Sequence, residues 1–90
     1  MENKVIDYLL EQGIKPNLKG FNYLVQAVVA VMKDRSQSEH MTMLYHKLAK
    51  DNNTSYINVE RNIRYVITSA GINQTCGEFV LRSAIKISRK

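Results

Sequence analysis

The apolar residues of this 90-residue chain recur at the 3.6-residue spacing of α-helices, and the alternation typical of β-strands is nearly absent. A chain of this length supports one hydrophobic core and leaves little room for a second. Only the valines between Val28 and Val31 resemble a buried strand in composition, and their spacing favours a helix. We therefore predict an all-α protein: a single domain over residues 1–90, folded as a compact bundle of about five helices.

Glycines and polar segments divide the chain into these helices. Gly13 and Gly71 follow two of the apolar stripes, where a residue that tolerates positive φ commonly ends a helix. Residues 34–40 are polar and aperiodic, and we predict that they form a connection. The predicted helices cover about residues 5–12, 20–33, 42–51, 55–70 and 75–88.

The net charge is confined to the second half of the chain. The sequence has 13 Lys and Arg and 8 Asp and Glu, which gives a formal net charge of +5. Residues 1–40 contain five basic and five acidic side chains, whereas residues 41–90 contain eight basic and three acidic ones. A basic half beside a neutral half is typical of a surface that binds a polyanion, although a solvated basic surface without a ligand has the same composition.

Several classes of protein are disfavoured by the sequence. Cys76 is the single cysteine, and with His40 and His46 it lacks the spacing of a metal site, so we predict no metal and no cofactor. No paired carboxylates, glycine-rich phosphate loop or nucleophile–base pair stands out, so we predict no catalytic residue and no enzyme. Residues 21–32 are too short and too polar a stretch to span a membrane, and the N-terminus does not read as a signal peptide. We expect a reduced, cytoplasmic protein with no membrane or small-molecule partner.

The third and fourth predicted helices, within about residues 42–70, are short and joined by a turn of about four residues. This is the sequence shape of a helix-turn-helix. In that motif the second helix, here about residues 55–70, lies in the major groove of DNA and contacts base edges with its N-terminal residues. Thr54 or Ser55 is the expected N-cap of this helix.

One face of the predicted recognition helix is apolar, and the opposite face carries candidate base-reading side chains. At 100° per residue, Arg61 lies directly opposite the apolar stripe, with Ile57 and Arg64 nearby and Asn58 and Glu60 on the two flanks. Arginine can bind guanine through two parallel hydrogen bonds, glutamate can accept from cytosine, and an apolar side chain can contact a thymine methyl. Two simpler interpretations remain: Glu60 and Arg64 form a surface ion pair, and Ile57 packs against the preceding helix.

Other side chains are candidates for binding DNA phosphates. Lys19 precedes a helix start, where backbone N–H groups favour an anion. Lys47 and Lys50 lie on the predicted exposed side of the third helix, and Thr54 and Ser55 lie at the start of the recognition helix. The simpler interpretation of each lysine is a solvated surface charge.

Several segments together resemble one family, the C-terminal DNA-binding domain of the sporulation-initiation response regulator of endospore-forming bacteria. The resemblance rests on residues 13–24 (GIKPNLKGFNYL), 44–50 (LYHKLAK) and 53–64 (NTSYINVERNIR), and on Glu78-Phe79 at the start of the last helix. The run from Val59 to Arg64 is its most specific part. The resemblance implies sequence-specific transcription control, and it places Glu60, Arg61 and Arg64 on base-contacting positions.

The chain departs from that family's pattern at several places. Pro16 lies one position later, Asn58 stands where the family has a basic residue, and Ile57 stands where it has a small one. The connection before the last helix, about residues 71–74, is shorter. No receiver domain is expected within these 90 helical residues.

We therefore predict a DNA-binding protein that regulates transcription in connection with sporulation, with double-stranded DNA as its partner. A second protomer on tandem DNA sites is a further expected partner. The alternative is a helical protein-interaction domain, for example an antagonist of a related regulator, and the salt dependence of DNA binding separates the two.

Overall fold

The computed structural model describes residues 1–89 and shows five α-helices and one short 3-10 helix. No strand occurs within this part of the chain, and residues 20–33, including the valine run, are helical. The predicted all-α class and the five helices are confirmed. The helices are α1 (Glu2–Glu11), α2 (Gly20–Lys33), α3 (Met41–Asp51), α4 (Tyr56–Ser69) and α5 (Cys76–Ser88), and the 3-10 helix is Arg35–Glu39.

The 3-10 helix occupies the segment that was predicted to be an irregular connection. Asp34 begins it by accepting hydrogen bonds at Oδ1 from the backbone N–H of Ser36, at 3.1 Å, and from the Ser36 hydroxyl, at 2.7 Å. These bonds lower the pKa of the Asp34 carboxyl. None of the five residues of this helix is buried. The segment therefore has no apolar stripe from which a helix could be predicted.

Glycines lie just after the C-terminal ends of α1 and α4. Gly13 and Gly71 have φ of 85° and 77°, the left-handed region that favours glycine. Among residues 1–89, the one non-glycine residue with positive φ is Asn53, at 54°, in the connection between α3 and α4. Asparagine tolerates this conformation better than most residues, which allows a short turn there.

Helix α2 lies at the centre and packs against all four of the other α-helices. The facing apolar stripes of α3 and α4 are buried in one core, and they consist of Leu44, Leu48, Val59, Ile63 and Ile67. Each of them is at most 4% exposed. Burial of such side chains contributes about 1.5–3 kcal/mol each, so this contact fixes α4 against the rest of the domain.

The first residue of α2 makes an unusually close backbone contact with α4. A Cβ atom at Gly20 would overlap the backbone carbonyl group of Asn62 and would touch Val66 at 3.0 Å. Only glycine permits this approach, and it brings the N-terminus of α2 against the middle of α4.

Helix α5 begins with a capping box. The Thr75 hydroxyl accepts a hydrogen bond from the Glu78 backbone N–H, and the Glu78 carboxylate accepts one from the Thr75 backbone N–H, both at 3.1 Å. The hydrogen bond to the Thr75 backbone, and to a lesser degree the one that involves the Thr75 hydroxyl, holds the pKa of the Glu78 carboxyl below its ordinary value. Cys76, the next residue, is half-buried against the core, in agreement with a structural role.

Candidate nucleic-acid interface

Helix α4 has one buried and one exposed face. Val59, Ile63 and Val66 are fully buried, whereas Arg61 and Arg64 on the other side are exposed. The two arginines are one turn apart, so their guanidinium groups project from neighbouring positions of the same surface. This exposed surface carries two basic side chains, and an α-helix has the diameter that fits the major groove of DNA.

Arg64 is paired with Glu60 on this surface. Arg64 Nε lies 3.5 Å from Glu60 Oε2, and the Arg64 side chain is 59% exposed while that of Glu60 is 29% exposed. An exposed i, i+4 pair adds only about 0.3–0.5 kcal/mol to stability. The pair therefore restricts the orientation of Arg64 without contributing much to the fold, and Arg61 has no such partner among the described residues.

Two large apolar or aromatic side chains are exposed on the same helix. Ile57 is 60% exposed and Tyr65 is 59% exposed. The interpretation that Ile57 packs against the preceding helix does not agree with this exposure. An exposed isoleucine beside two arginines leaves an apolar contact available to a ligand.

Asn58, a candidate base-reading residue, is half-buried and its side-chain amide is used inside the protein. Its Nδ2 donates to Thr54 Oγ1 at 2.9 Å and to Tyr23 Oη at 3.4 Å. Its Oδ1 accepts from Asn62 Nδ2 at 2.9 Å. Asn58 would have to leave these partners to reach a base, so its predicted role in base reading stays a prediction.

The connection between α3 and α4 consists of residues 52–55 and is fixed at both ends. At its start, the side-chain amides of Asn52 and Gln26 exchange two hydrogen bonds, of 2.8 and 3.2 Å. At its end, the Ser55 hydroxyl caps α4 by accepting from the Asn58 backbone N–H at 3.1 Å. The expected N-cap is therefore Ser55, and Thr54 instead accepts from the Asn58 side chain.

Aromatic side chains also join α3 to α4. The rings of His46 and Tyr56 stack with centroids 4.5 Å apart, and Tyr45 lies 6.0 Å from Tyr56 in a tilted arrangement. Burial raises the pKa of Tyr45, and the adjacent Cys76 raises it further. Tyr45 is thus part of the buried core, and Tyr56 is partly buried against it.

The predicted phosphate-binding residues are not all in one place. Lys19 immediately precedes Gly20, so it lies where α2 meets α4, and Thr54 and Ser55 lie at the start of α4. Lys50 is exposed on the outer side of α3. Lys47 is also exposed, and it lies at the rim of a groove between α2 and α3. The structure therefore places Thr54 and Ser55 at the start of α4, Lys19 beside the contact of α2 with α4, and Lys47 and Lys50 one turn apart on α3.

Tyr23 and Asn62 belong to this region, although the sequence pattern did not single them out. The ring of Tyr23 packs against the core while its hydroxyl contacts Asn58, and Asn62 contacts both Asn58 and the backbone of Gly20. Tyr23 could have been identified from the sequence, because it lies four residues, or about one helical turn, after Lys19, which is a predicted phosphate-binding residue. Asn62 gave no signal beyond its position on the flank of the predicted recognition helix.

Other kinds of site were sought in the described part of the chain. Residues 1–89 contain no cluster of three His, Cys, Asp or Glu side chains placed to hold a metal ion. Among their helices, none has both the length and the apolar character that crossing a bilayer requires.

A compact all-α fold with a basic, exposed helix face is typical of small helical nucleic-acid-binding domains. Residues 5–88 match the family described as "Sporulation initiation factor Spo0A C terminal". The chain belongs to this family, which is the DNA-binding domain of a sporulation regulator and is regulatory rather than catalytic. The resemblance seen in residues 13–24 and 53–64 is thereby confirmed at the level of the family.

Proposed function

We propose that this protein binds specific sequences of double-stranded DNA by placing α4 in the major groove, and that it regulates transcription linked to sporulation. In this proposal the whole chain is one DNA-binding domain, α3 and α4 are its helix-turn-helix, and it acts on chromosomal DNA in the cytoplasm. The observation that carries the proposal is the face of α4 opposite the core, where Arg61, Arg64 and Ile57 are all exposed.

The exposed side chains of α4 divide into two kinds of base contact. Arg61 and Arg64 are suited to guanine, whose O6 and N7 accept two parallel hydrogen bonds from one guanidinium group. Glu60 holds Arg64 through the 3.5 Å ion pair and can also accept from a cytosine amino group. Ile57, near the start of the helix, is suited to the methyl group of thymine.

Phosphate contacts would fix the orientation of α4 in the groove. Lys19, Thr54 and Ser55 lie around the N-terminal half of α4, where a recognition helix approaches the DNA backbone most closely. Lys50 reaches outward from α3 and would contact the backbone on the other side. Lys47, which faces the groove beside α2, has the weakest geometric support of the five.

The proposal is tested by selecting binding sites from random duplex DNA. We expect one enriched motif that contains guanine at two neighbouring positions, and binding that weakens steeply with salt because phosphate contacts release counterions. Two copies of the motif at a fixed spacing would indicate that a second protomer binds beside the first. If no motif is enriched and binding is insensitive to salt, the helical protein-interaction domain is the better description.

Replacing Lys50 by alanine should weaken binding to all DNA sequences equally. A lysine that contacts a phosphate contributes about 0.9 to the slope of log K against log salt concentration, and this contribution is lost with the side chain. Titrations of the selected site and of scrambled DNA at several salt concentrations measure the slope. Lys4→Ala is the matched control, because Lys4 is exposed on α1, which packs against α2 and α5. An unchanged slope in the Lys50 variant would show that this lysine is only solvated.

A further inference from the structure

We propose that the hydroxyl groups of Tyr23 and Thr54 form a two-donor site for one backbone phosphate of DNA, and that Asn58 orients them. The inference rests on the proposed function and adds to it a contact by Tyr23 and a positioning role for Asn58. The starting observation is that both hydroxyl oxygens accept from one atom, Asn58 Nδ2, at 3.4 and 2.9 Å.

The direction of these hydrogen bonds follows from a main-chain carbonyl group. Asn62 Nδ2 lies 2.7 Å from the backbone oxygen of Asn58, which can only accept, so the atom at this position of Asn62 must be its nitrogen. The same nitrogen lies 2.9 Å from the Asn58 side chain, which must therefore present its oxygen there. The other end of the Asn58 amide, facing Tyr23 and Thr54, is then its NH₂ group.

The hydrogens of the two hydroxyl groups must point away from Asn58. Each hydroxyl accepts from the Asn58 NH₂ group and keeps one O–H to donate elsewhere. Among residues 1–89, neither Tyr23 nor Thr54 donates its hydroxyl hydrogen to a protein acceptor. Both hydroxyl groups are thus held at one Asn58 amide nitrogen, and within residues 1–89 each keeps an O–H without a protein acceptor.

The location of this pair fits the DNA backbone. Asn58 lies on the flank of the exposed face of α4, on the same side as Tyr65, and Thr54 lies just before the helix. Lys19, the residue before α2, lies four positions and about one helical turn before Tyr23, so the proposal assigns it to the same phosphate. Phosphate oxygens only accept hydrogen bonds and carry negative charge, so two O–H donors and a lysine match a phosphate better than a base edge, which presents donors as well as acceptors.

The main test removes only the Tyr23 hydroxyl. Tyr23→Phe should weaken binding to the selected site and to scrambled DNA by the same factor, about 10- to 150-fold for one hydrogen bond to a charged group. The salt slope should stay unchanged, because the lost group is neutral. Thr54→Val should behave in the same way. Tyr45→Phe is the matched control, because it removes a phenolic hydroxyl that is buried in the core and cannot reach DNA.

A set of duplexes, each with one phosphate replaced by a neutral methylphosphonate, then locates the contact. We expect one position at which Tyr23→Phe no longer costs affinity, because the partner of the hydroxyl is already weakened. A Tyr23→Phe penalty that is the same on every duplex, or no penalty on unmodified DNA, would overturn the proposal.

The Asn58→Ala variant shows whether Asn58 acts as a positioning residue or as a base-reading residue. A positioning role predicts a uniform loss on all sequences that is not additive with Tyr23→Phe. A changed sequence preference would assign Asn58 to base reading and contradict the positioning role. If this variant does not fold, the Tyr23 and Thr54 variants still decide the question. Arg61 variants test the recognition helix independently, so loss of the phosphate site and failure of the proposed function give different results.

Discussion

Replacing Arg61 by alanine is expected to abolish the preference for the selected DNA site while leaving weak binding to other DNA. The side chain is exposed and lies opposite the buried stripe of α4, so it can reach the floor of the major groove. A good arginine–guanine contact contributes about 1–3 kcal/mol of discrimination, which corresponds to roughly a 5- to 150-fold change in relative affinity. Paired titrations of the selected site and of scrambled DNA measure this ratio.

The fold should be unaffected by this change, because Arg61 has no ion-pair partner among the described residues. Circular dichroism of the same sample checks the helix content. Arg82→Ala is a matched control, because it removes an exposed arginine from α5, outside α3 and α4. Equal losses on both DNAs would make Arg61 a phosphate contact, and no loss on either would favour the protein-interaction alternative.

Replacing Gly20 by alanine is expected to cause the largest loss of stability. The added Cβ would overlap the Asn62 carbonyl group, which is backbone and cannot move aside as a flexible side chain can. Helix α2 would have to shift relative to α4, at a cost of about 3 kcal/mol in the free energy of unfolding. For a domain of this size, that loss lowers the melting temperature by roughly 12–24 °C.

Gly77→Ala is the control for this prediction. A Cβ at Gly77 would meet Met41 Cγ at 3.3 Å and the Ser38 carbonyl oxygen at 3.5 Å, and the methionine side chain can adjust. Because alanine also favours the helix over glycine by about 0.5–1 kcal/mol, stability should change little or rise slightly. Thermal unfolding of both variants gives the comparison. Equal melting temperatures for the two would show that α2 and α4 can separate at Gly20 without cost.

The helices and the two faces of α4 could be predicted from the sequence because both depend on local spacing. The apolar stripe of Val59, Ile63 and Ile67 fixes which side is buried, and the position of Arg61 follows by rotation about the helix axis. The glycines at 13 and 71 gave the helix ends for a similarly local reason. The family was also predicted from local information, because the resemblance rests on short runs of consecutive residues.

Contacts between distant segments could not be predicted in this way. The approach of Gly20 to Asn62 and the bond between Tyr23 and Asn58 join residues more than 30 positions apart, and no pattern in either segment specifies its partner. The sequence therefore placed Asn58 among the base-reading residues by its angle on the helix. Its actual partners depend on how α2 crosses α4, which only the three-dimensional structure shows.

The separation of α4 into two faces has a consequence for how such a protein can change over time. The residues that hold the helix in the domain and the exposed residues Ile57, Arg61 and Arg64 are different sets. Substitutions in the exposed set therefore cost little stability, and if these residues read DNA as proposed, a lineage can acquire a new target sequence without passing through unfolded intermediates. Asn58 is an exception, because its bonds to Tyr23, Thr54 and Asn62 tie it to the architecture. Divergence in target preference among relatives should accumulate at the exposed positions and be slower at this one.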